Sequence, residues 1–186
     1  IRLKRSIIVE IDPQQNYRVR RCFRLRSEQQ TNHNGGIAYI GGYIYVASSR
    51  KIERYRIPDY VASGTAKYQD LRATYRDVYS VTSDASFMTY FQDSVWVGDY
   101  QTSNESAAYL YGYALKAQRD GINYSNPKIY RLPYQAQGVA WKKYNGEKYL
   151  FISTSGGDAG SRVSRYHVSK LSRTSIPQAD EVFNIP

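Results

Sequence analysis

The chain of 186 residues holds one cysteine, one methionine, two histidines, two tryptophans and six prolines. Each scarcity closes a route. Cys22 alone cannot form an internal disulfide or a thiolate metal site. His33 and His167 are the only histidines, and His167 sits in a strand that alternates with charge, so a two-histidine zinc site has no support. No apolar run nears the length of roughly 18 residues that a membrane helix needs. No charged-then-apolar leader opens the chain. P-loop, GxSxG and HExxH motifs do not occur, so those enzyme routes lack support. No zinc-finger, helix-turn-helix or RNA-binding aromatic motif accompanies the arginines, which argues against nucleic acid. No segment keeps a helical period; Tyr60–Arg76 comes closest and reads as a long connection with at most one helical turn.

What the chain has in plenty is positive charge and tyrosine. The net charge is +10, and +6 of it falls in residues 1–26, which carry eight Lys/Arg and two acids. Strict alternation there predicts a strand with Arg18, Arg20, Arg24 and Arg26 on one face, and Tyr17, Val19, Phe23 and Leu25 on the other. Arg18, Arg20 and Arg24 are thus candidates for docking an acidic partner; a charged, solvated edge strand is the competing reading. The 20 tyrosines suit strands, since the ring can be buried while the hydroxyl stays wet.

The tyrosines recur with a period. GIAYIGGYIYVASS from Gly36, SFMTYFQDSVWVGDY from Ser86 and GVAWKKYNGEKYLFISTS from Gly138 align, with Gly36, Phe87 and Gly138 each 51 apart. A third strand follows in each: IERYRI at Ile52–Ile57, LYGYAL at Leu110–Leu115 and VSRYHV at Val163–Val168. A fourth closes each unit: DVYSV at Asp77–Val81, KIYRLP at Lys128–Pro133 and EVFNIP at Glu181–Pro186. The third copy carries about four extra residues around Lys142–Glu147, assigned to its first turn. Four short strands per unit of 40–50 residues, joined by Gly- and Asp-bearing turns, predict an all-β β-propeller with a repeat near 51 residues.

The predicted domain spans 1–186: a half blade at 1–26 and whole blades at 36–81, 86–133 and 138–186, about three and a half four-stranded blades. A ring needs about four or more. The reading is therefore the C-terminal part of a longer propeller, completed by blades on another chain or a symmetric copy; an irregular self-closed ring is the alternative.

GGIAYIGGYIYVASSRKIERYRI and QGVAW…YLFISTSGGDAGSRVSRYHV resemble the blades of extracellular and periplasmic propellers of the NHL, YVTN and lactonase-like kinds, and secreted bacterial propellers of unassigned function. The resemblance implies a secreted, extracellular or periplasmic protein. It implies no single activity, because the fold hosts binding modules and enzymes alike.

Propeller ligands usually meet the loops that join strand four to the next strand one, and strand two to strand three. Here those loops hold the unusual polar residues: His33, Asn34, Asp84, Asp99, Tyr100, Gln137, Asp158 and Arg162. The leading reading is a binding or scaffold module that offers this face to a protein, peptide or glycan. The alternative is a hydrolase or lactonase-like enzyme working through a central divalent cation or the pair Asp84 and Asp99. Asn, Asp and carbonyl oxygens would suit Ca²⁺. Lactonase-like propellers, however, use a Glu where these first strands begin, and no Glu stands there. Turn chemistry is the plain reading of each residue alone: Asp84 as an Asx turn, Asp158 within a Gly-rich turn, Gln137 serving strand amides.

Overall fold

A computed structural model describes residues 7–25, 34–57, 69–70, 77–82, 84–103, 106–116, 121–123, 125–156 and 160–185. The described chain is all strand, turn and loop, apart from two short 3-10 turns at Pro13–Gln15 and Val168–Lys170. Among the described residues, fifteen strands form four sheets.

Sheet I contains β1 (Ile7–Asp12), β2 (Arg18–Arg24) and β6 (Gln69–Asp70), in the order β1-β2-β6. Sheet II contains β3 (Asn34–Ile40), β4 (Tyr43–Ser48), β5 (Lys51–Arg56) and β7 (Asp77–Ser80). Sheet III contains β8 (Phe87–Phe91), β9 (Ser94–Gly98), β10 (Ala108–Ala114) and β11 (Lys128–Leu132). Sheet IV contains β12 (Ala136–Tyr144), β13 (Glu147–Ser155), β14 (Ser161–His167) and β15 (Glu181–Ile185). Sheets II, III and IV are antiparallel meanders in chain order. Gly36, Phe87 and Gly138 stand opposite Ala47, Gly98 and Ser153 in their respective ladders.

The first hairpin of each meander closes on two residues with positive φ: Gly41-Gly42, Gln92-Asp93 and Asn145-Gly146. That is type I′ geometry, which matches the twist of the flanking strands. The extra residues of the third copy therefore do not lengthen its turn. They lengthen the strands, so that Lys142 pairs with Tyr149 and Lys143 with Lys148 ahead of an Asn-Gly turn. Asn-Gly is the best type I′ pair available, and it takes the turn to itself.

Residues facing alternate sides of each sheet build three successive cores. Phe23 and Leu25 of the sheet I segment meet Ile44, Val46 and Tyr55. Ala38, Ile40, Tyr45 and Ala47 of sheet II meet Met88, Val95 and Val97 of sheet III. Phe87, Trp96 and Leu132 of sheet III meet Leu150, Ile152 and Tyr166 of sheet IV. Burying each of the larger aliphatic and phenylalanine side chains here is worth about 1.5–3 kcal/mol, and this area drives the stacking. The first strands are neighbours: β3 lies against β8, and β8 against β12.

One further expectation needs correction. The arginines of β2 do not share one face. A bulge opposite Glu10/Ile11 shifts the register, so Asp12 pairs with Arg18 while Ile7 pairs with Arg24. Paired residues share a side of the sheet, and one extra residue inverts the alternation beyond it. Arg20, at the bulge, reaches Glu10 at 3.5 Å and Asp12 at 4.0 Å. Arg21 also binds Glu10. The basic ladder is thus split across two faces and part of it is neutralised. Within the Tyr60–Arg76 connection, Gln69–Asp70 is a short strand that pairs parallel with Phe23 and Arg24 of β2. The rest of that connection, and Arg26, lie outside the described residues.

Candidate functional site

The meander order sets one end of each sheet apart. The start of strand one, the end of strand two, the start of strand three and the end of strand four all fall there. A run of main-chain hydrogen bonds joins these loops from sheet to sheet. Ala85 N donates to Ser49 O, Ser86 N donates to Gly98 O at 2.9 Å, and Gln135 N donates to Gln101 O at 2.7 Å. Ser155 N then donates to Gln135 O at 3.1 Å. Two of these links cross between sheets, so the described parts of the polar loops adjoin from sheet II to sheet IV.

The predicted residues distribute unevenly along that rim. Asp84, Asp99 and Tyr100 come together in sheet III. Asp84 is exposed and pairs with Arg50 at 3.3 Å. Its predicted Asx turn is replaced by a main-chain one, in which Ser86 N donates to the Asp84 carbonyl at 2.9 Å. Tyr100 N donates to Ser86 Oγ at 3.2 Å. Asp99 is 6% exposed, and its Oδ1 accepts the Tyr109 N–H at 2.6 Å. Burial raises its pKa; the amide of Tyr109 and the side chain of Gln101 oppose this, and the nearby charge of Asp84 adds to it. Asp84 and Asp99 are therefore engaged in different ways, one by a surface guanidinium and one by a strand amide. Asp99 also raises the neighbouring Tyr111 hydroxyl, whose own burial is the larger cause.

The sign of the Asp99 effect makes a test. A carboxyl raised in the fold contributes most to stability below its ordinary value of 3.8. That contribution is lost as pH rises through the folded value. Asp99→Asn keeps an acceptor for Tyr109 and carries no charge. It should be more stable than the parent near neutral pH, and the gap should close on acidification below pH 3.8. Urea unfolding across that range measures it; a variant less stable at neutral pH would contradict the argument.

In sheet IV, Gln137 Nε2 donates to the Ser155 carbonyl at 3.5 Å, across the bulge between Ala136 and Gly138. Arg162 opens onto a cleft of about 240 Å³ lined also by Tyr134, Gln135, Ser155, Ser164 and Tyr166. Arg162, Ser164 and Tyr166 alternate along one face of β14, as the strand period requires. Ser164 and Tyr166 are buried, while Arg162 and Tyr134 are exposed. Burial raises the Tyr166 hydroxyl, with the Ser164 side chain opposing the rise, so it remains a neutral donor at neutral pH. Tyr134, Gln135, Ser164 and Tyr166 were not singled out from the sequence. The alternation of VSRYHV was the signal that could have found the last two.

Asn34 stands apart, at the sheet I side of sheet II. His33 and Asp158 lie outside the described residues. Among the described residues no group of three or more His, Cys, Asp or Glu could hold a metal ion. Nor is any described helix long and apolar enough to cross a membrane.

These observations define an all-β protein of stacked antiparallel sheets with a polar loop rim and one cleft at its sheet IV end. No protein-family model, no curated protein and no solved structure matches the chain.

Proposed function

We propose that the chain is a secreted, propeller-type binding module whose loop rim receives a glycan bearing an acidic sugar. The propeller reading is supported by successive four-stranded meanders whose first strands lie side by side. The ligand class rests on one observation: Arg162 lies in one cleft with Tyr134, Gln135, Ser155, Ser164 and Tyr166. A guanidinium fork suits a carboxylate. Buried hydroxyls and an amide suit sugar hydroxyls, and a part-exposed tyrosine ring gives an apolar platform with a polar tip. A volume of about 240 Å³ limits the occupant to a unit or two of a chain, with the remainder lying along the rim.

Oligogalacturonate and a neutral oligosaccharide of equal length are suitable probes. The acidic one should bind and the neutral one should bind weakly. Arg162→Ala should reduce the acidic affinity by about tenfold to a hundredfold, the loss expected for a charge-assisted hydrogen bond. Equal binding of both probes, or an Arg162→Ala variant that binds as the parent does, would refute the assignment. Isothermal titration measures both.

A further inference from the structure

Sheet II leaves bare a face that its sister sheets cover. Ile37 and Tyr39 of β3 are 50% and 65% exposed. By register their counterparts are Met88 and Tyr90 on β8, and Val139 and Trp141 on β12. Met88 is buried and the other three are half-buried. The difference lies in what precedes each sheet. Sheet II packs its inner strands over sheet III, and sheet III packs its inner strands over sheet IV. Sheet I reaches only further out, where Ile8 and Phe23 pack on Ile44, Val46 and Tyr55.

The uncovered strip borders an open strand edge. Among the described residues β1 pairs with β2 alone. Between β1 and β3 lies a groove of about 570 Å³, lined by Ile7, Val9, Gly36, Ile37 and Val46. Asn34 also lines it, and its Oδ1 is buried with no hydrogen-bond partner. The spacing of 51 residues puts Ala85 and Ala136 at this position in the other two units, and both are buried. A polar atom without a partner here therefore belongs to the groove and not to the general pattern. Such an atom is costly unless something supplies a donor.

We propose that this groove is a strand-addition site, which receives an antiparallel pair of apolar strands from a partner polypeptide. One strand continues the ladder beyond β1. The other covers Ile37 and Tyr39 and brings an N–H to Asn34 Oδ1. An unpaired ladder edge selects extended backbone, and the apolar wall selects side chains that alternate toward it. The chain itself sets the precedent: β3–β4 over sheet III and β8–β9 over sheet IV are apolar strand pairs on the same kind of face. A pair in the groove would extend that stack by one step. This inference makes no use of the Arg162 cleft, and either can fail without the other.

The probe is a labelled peptide of residues 86–99, the chain's own β8–β9 segment, titrated into the full chain by fluorescence anisotropy. Saturable binding is expected. Ile37→Glu combined with Tyr39→Glu should weaken it by about tenfold or more, as for central apolar anchors. Both side chains are exposed, so thermal unfolding should not move. Bound peptide should slow amide exchange in Ile7–Asp12 and Asn34–Ile40. Failure to bind, binding that the double variant does not weaken, or protection confined to other strands would overturn the proposal. A dimer in light scattering that the double variant dissolves would also overturn it, by making a second copy the occupant.

Discussion

Trp96→Ala should lower the free energy of unfolding by about 3–5 kcal/mol, the range for emptying an aromatic from a core. The position concentrates the contact between sheets III and IV. Trp96 is 5% exposed. It stacks on Tyr130 with ring centroids 5.6 Å apart and planes within 9°, and meets Trp141 at 4.8 Å. Trp141 in turn stacks on Phe91 at 5.6 Å. Two sheets thus share one aromatic cluster, and removing its centre leaves a cavity that strands cannot collapse into. Trp96→Phe should lose less. The indole Nε1 of Trp96 is buried without a partner, and phenylalanine sheds that cost of about 1–3 kcal/mol along with some area. Urea unfolding followed by near-ultraviolet circular dichroism reads stability and the coupled rings together. A loss for Trp96→Ala below about 1 kcal/mol would mean the sheets are not held together here.

Gly35→Ala should destabilise by about 1–3 kcal/mol or more, despite adding only a methyl group. The methyl would land on the Ser86 carbonyl, and a methyl on Gly36 would land on the Met88 amide. Both obstacles are backbone, which cannot rotate away. By contrast Gly42, at φ 85°, would place a methyl in open space, and its constraint is conformational. Gly35→Ala therefore tests the side-by-side approach of β3 and β8 specifically. Its effect should appear as loss of stability with the strand content of the native state unchanged. A neutral result would mean that the two strands are further apart than this packing requires.

Much of the architecture was legible because strand periodicity and turn chemistry are local. GGIAYIGGYIYVA announces two strands and a positive-φ turn, and β3 and β4 are that hairpin. The strand boundaries inferred from the aligned segments fall within a residue or two of β8, β9 and β14. The errors also have local causes. The sheet I arginines were assigned by alternation, and one bulged residue defeats alternation. The extra residues at Lys142–Glu147 were assigned to the turn, but a paired strand satisfies more backbone groups than a longer loop does.

The site was less legible. Its loops could be placed at one end of the sheets by counting strands, and Asp84, Asp99, Tyr100, Gln137 and Arg162 lie at that end. Their separate fates could not be counted. Whether an aspartate meets an arginine or a strand amide depends on groups 34 and 10 residues away. Composition is equally silent on Gly112. The register aligns it with Arg54 and Arg165, which cover the rings of Tyr43 and Tyr149. In sheet III the arginine gives way to glycine, and the indole of Trp96 occupies the space, with Cζ3 2.6 Å from where a methyl on Gly112 would lie.

By itself the sequence determined most of the strands and how those of sheets II, III and IV group in fours, because backbone pairing and φ preferences act over a few residues. Only the tertiary structure decided which faces meet. Packing sheet on sheet buried Asp99, closed the aromatic cluster around Trp96, gathered the Arg162 cleft and left Ile37 and Tyr39 bare, because burial depends on neighbours far along the chain.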